Sequence, residues 1–305
     1  MRWVAGMQET ERASKKYMGL DTWPDVDVLS AFWDGQMSAV AAVRPALPQI
    51  AAAVPPVVER LREGDSRMIY AGAGSSGLLA MQDGMELTPT FGWPLARLEF
   101  LMAGGDAARL TPQGVSEDDV ASARKDAAEI GLRPHDVVIV VAASGTTPYT
   151  LEVARLAKQA GALVVSIANN PNVPLLEIAD YPILLETGPE VVAGSTRLGA
   201  GTAQKAVLGM LSSTVMTRLG HVVDGLMVSV VADNEKLHER AARIVAQIAG
   251  CDPSLAADAL KQVDGHVKPA VLVAAGRSPA EAQALLTKTG GDLRAAMNRS
   301  QSSSR

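Results

Sequence analysis

The chain has 305 residues, of which 48% are hydrophobic and 20% are charged. This composition excludes a disordered protein, and the length suffices for one large domain or two modest ones without disulfides. The 28 Lys and Arg against 33 Asp and Glu give a net charge of −5, which argues against nucleic acid as the main partner. The single cysteine and the four scattered histidines lack metal-ligand spacing, so no metal site is expected.

Neither a membrane span nor a secretory signal is evident in the sequence. The longest purely apolar stretches, such as residues 137–143, are much shorter than the ~18 residues of a transmembrane helix. The first 16 residues contain no apolar core of the kind that a signal peptide needs. We therefore expect a cytoplasmic protein that binds no membrane.

The first part of the chain has a helical pattern with little strand character. Helices are expected at residues 25–42 and 47–63. They form a helical lead-in, which we assign to residues 1–64.

The middle of the chain alternates short runs rich in Val and Ile with segments of helical period. Such alternation is typical of a doubly wound, mainly parallel sheet with helices on both faces, the α/β class. This domain is assigned to residues 65–232. Strands are expected at residues 67–71, 97–102, 136–142, 162–168 and 181–185. Helices are expected at residues 77–87, 116–130, 148–160 and 201–218, with a turn near 174–179.

The last part of the chain is predicted to be a small helical C-terminal subdomain, assigned to residues 233–305. Its polar tail, residues 298–305, is expected to be frayed. Helices are expected at residues 234–249, 253–263, 267–275 and 279–288.

A glycine-rich loop, GAGSSG at residues 72–77, follows the first predicted strand and opens a helix. It contains the candidate anion-binding residues Gly74, Ser75 and Ser76, because glycines let backbone N–H groups approach an anion at a helix N-terminus. The spacing also fits a dinucleotide fingerprint, with Glu99 at a suitable distance for a ribose contact. The first loop alone leaves a phosphosugar and NAD as alternatives.

Two further loops favour the phosphosugar. The second loop, residues 142–149, follows the third strand in the same way, and the third loop, residues 194–197, precedes a long helix. Hydroxyl groups and free backbone N–H groups at the ends of two adjacent strands would make a compact pocket for one phosphate and a sugar. The alternative is that these hydroxyl residues are ordinary helix N-caps. The candidate ligands are Ser144, Gly145, Thr146, Thr147, Ser195, Thr196 and Arg197.

These loops resemble the sugar isomerase (SIS) domain family, and most closely the N-acetylmuramic acid 6-phosphate etherases, whose relatives include the glucokinase regulatory protein. The matching segments include GAGSSG at 72–77, AASGTTPY at 142–149 and GSTRLGAGTAQK at 194–205. The resemblance implies an SIS-like fold and a lyase that removes the D-lactyl ether from a phosphorylated amino sugar. It implies no metal or nucleotide cofactor.

The reaction of that family needs one carboxylate as a base and another to protonate the leaving oxygen. The resemblance assigns the proton donor to Glu86 and the second catalytic carboxylate to Glu117. Considered without the resemblance, Glu117 could instead be a capping acid behind Ser116 in the first turn of a helix. Glu86 has less of a structural explanation, because a carboxylate in the last turn of a helix opposes its dipole.

The chain departs from the family at three positions that are commonly basic, where it has Leu78, Thr146 and Gly199. Arg197 and Lys205 remain as possible counter-charges for an anionic ligand. The departures leave a non-catalytic phosphosugar-binding regulator as one alternative. An SIS aldose–ketose isomerase is another, and an NAD-dependent dehydrogenase is the least favoured.

The helix at residues 201–218 is apolar over more than one face, so it is expected to be covered on more than one side. Coverage by the N-terminal helices of the same chain is one possibility. The resemblance favours a homodimer packed through this helix, with an active site that takes groups from both subunits.

Overall fold

The computed structural model describes residues 8–62, 64–109, 114–230 and 235–302. Five parallel strands form one sheet in the order β2-β1-β3-β4-β5. Every predicted strand agrees with an observed strand to within about one residue at each end. The predicted doubly wound α/β class is confirmed. The strands are β1 (Met68–Gly72), β2 (Leu98–Met102), β3 (Val137–Val141), β4 (Leu163–Ala168) and β5 (Tyr181–Leu184).

Helices precede, cover and follow this sheet. Those up to the end of the sheet region are α1 (Asp25–Ala41), α2 (Leu47–Arg62), α3 (Gly74–Met85), α4 (Leu87–Phe91), α5 (Val120–Ile130), α6 (Pro148–Gln159), α7 (Pro174–Ile178) and α8 (Gly199–Arg218). A short hairpin of β6 (Val222–Val223) and β7 (Leu226–Met227) comes next. The remaining helices are α9 (Glu235–Ala249), α10 (Pro253–Lys261), α11 (Val267–Ala274), α12 (Pro279–Lys288) and α13 (Leu293–Ser302).

The sequence prediction missed α4, the hairpin and α13. The hairpin turns at Asp224 and Gly225, which both have positive φ, as the tight turn between such short strands requires. The tail expected to be frayed is helical as far as Ser302, because Leu293 and Ala296 are fully buried. The predicted helix ends at Glu63 and Asn234, and residues 303–305 of the tail, lie outside the described residues.

The predicted helix at residues 116–130 begins later than expected. Residues Gly114–Asp118 form a 3₁₀ helix, and α5 starts only after Asp119. The Asp119 side chain caps α5 by accepting a hydrogen bond of 2.9 Å from the Ser122 backbone N–H. Asp119 is therefore the N-cap, and Ser116 is not.

A buried ion pair joins the amino ends of the adjacent strands β1 and β3. The Arg67 guanidinium donates to both carboxylate oxygens of Asp136, at 3.0 and 2.6 Å, and also to the Ile130 and Gly131 carbonyls at 2.8 Å. The hydrogen bond and the charge of Asp136 raise the pKa of Arg67 above its ordinary value. Because all these partners are satisfied, the pair fixes β1 beside β3 without leaving an uncompensated charge.

The chain divides into two compact units. The first comprises Met1–Gly84 and Ala96–Ser212 and contains the parallel sheet. The second comprises Met85–Leu95 and Ser213–Arg305 and has its own core, which includes Val245, Val271 and Leu272. The three-part division at residues 64 and 232 remains a prediction from the sequence.

One helical run among the described residues, Asp25–Arg62, is long and apolar enough to suit a membrane span, with a mean hydropathy of 1.3 over an 18-residue window. The structure divides it into α1, with 17 residues, and α2, with 16. Each is shorter than the ~20 residues that cross a bilayer as a helix. The inner face of α2 instead packs in the protein core through Val57, Val58 and Leu61. The structure thus contains two packed helices here.

Candidate active site

The strand order reverses direction between β1 and β3, which lie side by side in parallel register. In doubly wound sheets, ligands bind at the carboxyl ends of the strands at such a switch point. The first loop follows β1 and the second loop follows β3, so the topology brings the two predicted phosphate loops together. The sheet was predicted from the sequence, but the strand order was not.

Close packing of glycines shapes the first loop. A Cβ on Gly72 would lie 2.8 Å from Gly77 Cα, and a Cβ on Gly77 would lie 2.4 Å from Met102 Sδ. Side chains at either position would push α3 off the sheet edge. Gly74 opens α3 with a φ of +52°. The first N–H groups of α3 therefore lie at the strand ends, where an anion can accept hydrogen bonds from them.

The Glu117 carboxylate lies against this first loop. Its Oε1 is 2.6 Å from the position that a Cβ on Gly74 would occupy. Burial raises the pKa of Glu117 above its ordinary value, and the charge of Asp118 raises it further. Glu117 is in the 3₁₀ segment before α5, and Asp119 does the capping. The capping explanation of Glu117 is therefore wrong.

The second loop is held in an unusual conformation at Gly145. This residue has a φ of +67°, and a Cβ there would lie 2.2 Å from Val173 Cγ2, so only glycine fits. The Ser144 hydroxyl accepts from the Thr146 N–H at 3.2 Å and lies 3.2 Å from the Thr147 hydroxyl. Thr147 is the N-cap of α6, but its side chain makes no capping hydrogen bond. These hydroxyls therefore remain near the strand ends rather than in the helix cap.

The third loop is also not an ordinary helix cap. The N-terminus of α8 is occupied by the buried carboxylate of Glu190, which accepts from the Gly199 and Ala200 N–H groups at 2.8 Å each. Ser195 and Thr196 precede the helix and are half-buried. Glu190 thus neutralises the positive end of α8, so the loop contributes side chains rather than a helix dipole.

Glu86 was expected in the last turn of a helix, but α3 ends one residue earlier, at Met85. Glu86 is exposed, occupies the N-cap position of α4 without a side-chain capping bond, and belongs to the second compact unit. Because Glu86 lies between the C-terminus of α3 and the N-terminus of α4, the dipoles of the two helices have opposite effects on its carboxylate. Its pairing with Glu117 remains a prediction.

Two of the three positions that depart from the family have local explanations in the structure. Leu78 packs against an apolar cluster that contains Met81 and Met102. Thr146 is exposed, and Gly199 donates its N–H to Glu190. Arg197 is exposed and has no hydrogen-bond or ion-pair partner within the described part of the chain. It is therefore available as a counter-charge.

The sequence analysis overlooked polar residues that support these loops. Asn170, which follows β4, donates from Nδ2 to the Ala143 carbonyl at 2.9 Å. Gln204 on α8 donates to Asn169 Oδ1 at 2.8 Å. The signal was available, because Asn169 and Asn170 are polar residues directly after a buried strand. Across the described ranges, no group of three or more His, Cys, Asp or Glu side chains is placed to hold a metal.

Together, the parallel sheet, its helices and the switch point between β1 and β3 define a doubly wound α/β domain of the SIS type. Residues 121–213 match the model of the SIS domain, and residues 49–157 match that of the glucokinase regulatory protein N-terminal SIS domain. A crystal structure of a putative phosphosugar isomerase from Bacteroides fragilis has the same fold, with a TM-score of 0.53 at 20% identity. The similarity covers 66% of this chain and 95% of that chain.

Much closer relatives carry the name N-acetylmuramic acid 6-phosphate etherase. The protein of that name from Deinococcus radiodurans is 46% identical over 94% of each chain. The one from Mycolicibacterium smegmatis is 43% identical over 95% of this chain and 97% of its own. The chain belongs to the N-acetylmuramic acid 6-phosphate etherase family.

Replacing Glu117 with Gln is expected to stabilise the folded protein at neutral pH. Because the pKa of Glu117 is raised in the folded state, its ionised form is disfavoured there relative to the unfolded chain. The gain is complete above the raised pKa and fades as the pH falls through it, since Glu117 is protonated in both states at low pH. Thermal unfolding midpoints measured from about pH 4 to about pH 8 test this.

The matched control is Glu239→Gln, which neutralises an exposed glutamate of α9. It should leave the midpoint unchanged over the same range. Equal midpoints for wild type and Glu117→Gln at every pH would contradict the desolvation of this carboxylate.

Proposed function

We propose that the protein is an N-acetylmuramic acid 6-phosphate etherase, a carbon–oxygen lyase. It cleaves the D-lactyl ether of its substrate to give N-acetylglucosamine 6-phosphate and D-lactate. The observation that carries the proposal is the desolvated Glu117 carboxylate against Gly74 at a phosphate-binding loop, in a chain of the etherase family. An anion site alone would support only the binding of a phosphate. A neighbouring carboxylate with a raised pKa can also accept a proton, which supports catalysis.

The substrate phosphate is bound by the first two loops in this proposal. Gly74, Ser75 and Ser76 offer the free N–H groups and hydroxyls of the first turn of α3. The second loop contributes Ser144, Gly145, Thr146 and Thr147. Ser195, Thr196 and Arg197 of the third loop contact the sugar or its carboxylate-bearing lactyl group, for which the unpaired Arg197 guanidinium is the suitable charge.

The reaction begins with opening of the sugar ring, which leaves an aldehyde at C1 and makes the C2 proton acidic. Glu117 removes that proton, the electron pair forms the C2–C3 double bond, and the bond from C3 to the ether oxygen breaks. Glu86 protonates the leaving oxygen, so that D-lactate departs as an alcohol. Water then adds to C3 of the enal, and C2 regains a proton. The raised pKa of Glu117 suits it to the role of base.

A non-catalytic phosphosugar-binding regulator is the second candidate. The observation that favours it is that three positions that are commonly basic in the family are Leu78, Thr146 and Gly199 in this chain. Such a protein would bind the sugar phosphate and release no lactate. An SIS isomerase would interconvert an aldose and a ketose phosphate, also without lactate.

The direct test is the release of D-lactate from N-acetylmuramic acid 6-phosphate by the purified protein. Wild type and the Glu239→Gln control should release lactate at the same rate. Glu117→Gln and Glu86→Gln should each lower kcat by about 100-fold or more, since each removes a proton-transfer group. Binding of the substrate in calorimetry without lactate release by wild type would establish the regulator instead.

We propose the cytoplasm as the compartment of the protein. A phosphorylated amino sugar is an anion that does not cross a lipid bilayer unaided, so its enzyme must share its compartment. The lone, half-buried Cys251 is a free thiol, which suits a reducing environment.

We also propose that the protein is a homodimer, although not through the helix first expected. The apolar residues of α8, including Val207, Leu208 and Leu211, are already fully buried within the single chain. The expectation that this helix is covered on more than one side is therefore confirmed. The covering groups belong to the same chain, so α8 has little apolar surface left for a partner.

Helix α1 offers the better dimer surface. Its inner face packs through Ala31 and Ala39, whereas five large apolar side chains on its outer face are between 45% and 68% exposed. They recur at the three- and four-residue spacing of a helix-pairing seam. A second copy of the chain is the occupant that fits, because a single seam on one helix is self-complementary about a two-fold axis. The five side chains are Val26, Leu29, Trp33, Met37 and Val40.

Trp33→Glu is expected to convert a dimer of about twice 31.8 kDa into a monomer, as measured by light scattering. Ser38→Glu is the matched control, because it adds the same charge at an exposed polar position of α1 and should leave the dimer intact. A wild-type monomer that releases lactate would contradict both the dimer and its role.

Mixing two inactive variants tests whether the subunits share an active site. Gly74 opens α3 and Glu86 follows its last residue, so the first loop and the proposed acid lie at opposite ends of one helix. If Glu86 acts on the substrate held by the partner, mixed dimers of Glu86→Gln and Glu117→Gln should recover about a quarter of wild-type activity. No recovery after subunit exchange would mean that both carboxylates act within one subunit.

A further inference from the structure

A short segment near the N-terminus, residues 8–11, joins loops that are distant in sequence; we refer to it as the N-terminal strap. The strap contains a single 3₁₀ turn, Glu9–Glu11, in which Thr10 is the one buried residue. Thr10 is fully buried, although Glu11 beside it is exposed. A strap with so little apolar burial is held by its polar contacts, so those contacts define its role.

Thr10 connects the end of β4 with the third loop. Its N–H donates to Asn170 Oδ1 at 3.4 Å, and its hydroxyl accepts from Asn170 Nδ2 at 3.0 Å. Its carbonyl accepts from the Gly194 N–H at 3.0 Å. Asn170 also donates to the Ala143 carbonyl, at the start of the second loop. One residue of the strap thus fixes the third loop relative to the second.

Gln8 binds the second loop directly. Its side-chain amide donates to the Ser144 carbonyl at 3.0 Å and to the Thr146 hydroxyl at 3.2 Å. These two acceptors belong to the residues on either side of Gly145. Gly145 has a positive φ, a conformation that the surrounding contacts must maintain. The amide therefore holds both sides of the turn that presents the proposed phosphate ligands.

We infer that Gln8 and Thr10 are positioning residues, which hold the second and third loops in the geometry that binds the phosphosugar. The inference rests on the proposed function for the identity of the ligand. Neither residue touches the reacting atoms in this account. Losing either should loosen the binding loops and weaken substrate affinity, while the chemistry of bound substrate continues.

The test uses two pairs of variants of the full chain. Gln8→Met keeps the length of the side chain but removes both donated hydrogen bonds, and Lys15→Gln is its control at an exposed position outside the strap. Thr10→Val keeps the shape but removes the hydroxyl that Asn170 needs, and Thr10→Ser restores the hydroxyl. For each protein we would measure kcat and KM, the Kd of N-acetylglucosamine 6-phosphate by calorimetry, and the thermal unfolding midpoint.

Gln8→Met and Thr10→Val should raise KM and Kd together, by about fivefold to tenfold, with kcat within about twofold of wild type. Thr10→Ser and Lys15→Gln should match wild type. A lowered unfolding midpoint with unchanged KM and Kd would overturn the inference, because the strap would then be merely structural. A fall in kcat alone would also overturn it.

Failure of the proposed function is recognised separately. If wild type releases no lactate but binds N-acetylglucosamine 6-phosphate, the etherase proposal is wrong and the Kd values alone decide the role of the strap. If wild type binds no phosphosugar, both are wrong.

Discussion

The close contact between Gly72 and Gly77 is the constraint on which the rest of the site depends. Because neither residue has a side chain, α3 starts directly at the carboxyl edge of β1 instead of being held away from it. The N–H groups of its first turn then lie beside β3, at the point where the strand order reverses. The proposed anion site is therefore made mainly of backbone N–H groups, which can bind a phosphate without several basic side chains.

Gly74, in the same loop, shapes the surroundings of Glu117. Gly74 leaves room for the carboxylate directly on the loop, in partial shelter from water, and Asp118 adds a neighbouring negative charge. A carboxylate that is costly to ionise is a better proton acceptor than an exposed one. A bound phosphate would add a second negative charge nearby and strengthen this effect. The burial that makes Glu117 a better base therefore also lowers the free energy of unfolding at neutral pH.

The sequence predicted the framework well because its signals are local. Buried strands such as β3 appear as short apolar runs, and the loops after them appear as glycine and hydroxyl residues. The failures involve contacts between distant residues. Glu190 takes the capping role at α8 from nine residues away, and Gln8 reaches the second loop across a separation of 136 residues. No local pattern encodes such pairings, so only the folded chain shows which carboxylate caps which helix.

In the proposed reaction, the ether is cleaved by elimination and hydration across C2 and C3 of the sugar. The most direct measurement is the position of label after the reaction runs in water enriched in the heavy oxygen isotope. Elimination breaks the bond between C3 and the ether oxygen, so N-acetylglucosamine 6-phosphate should carry the label at C3 and D-lactate should keep its original oxygen. Label in the hydroxyl of lactate, with none in the sugar, would contradict the account.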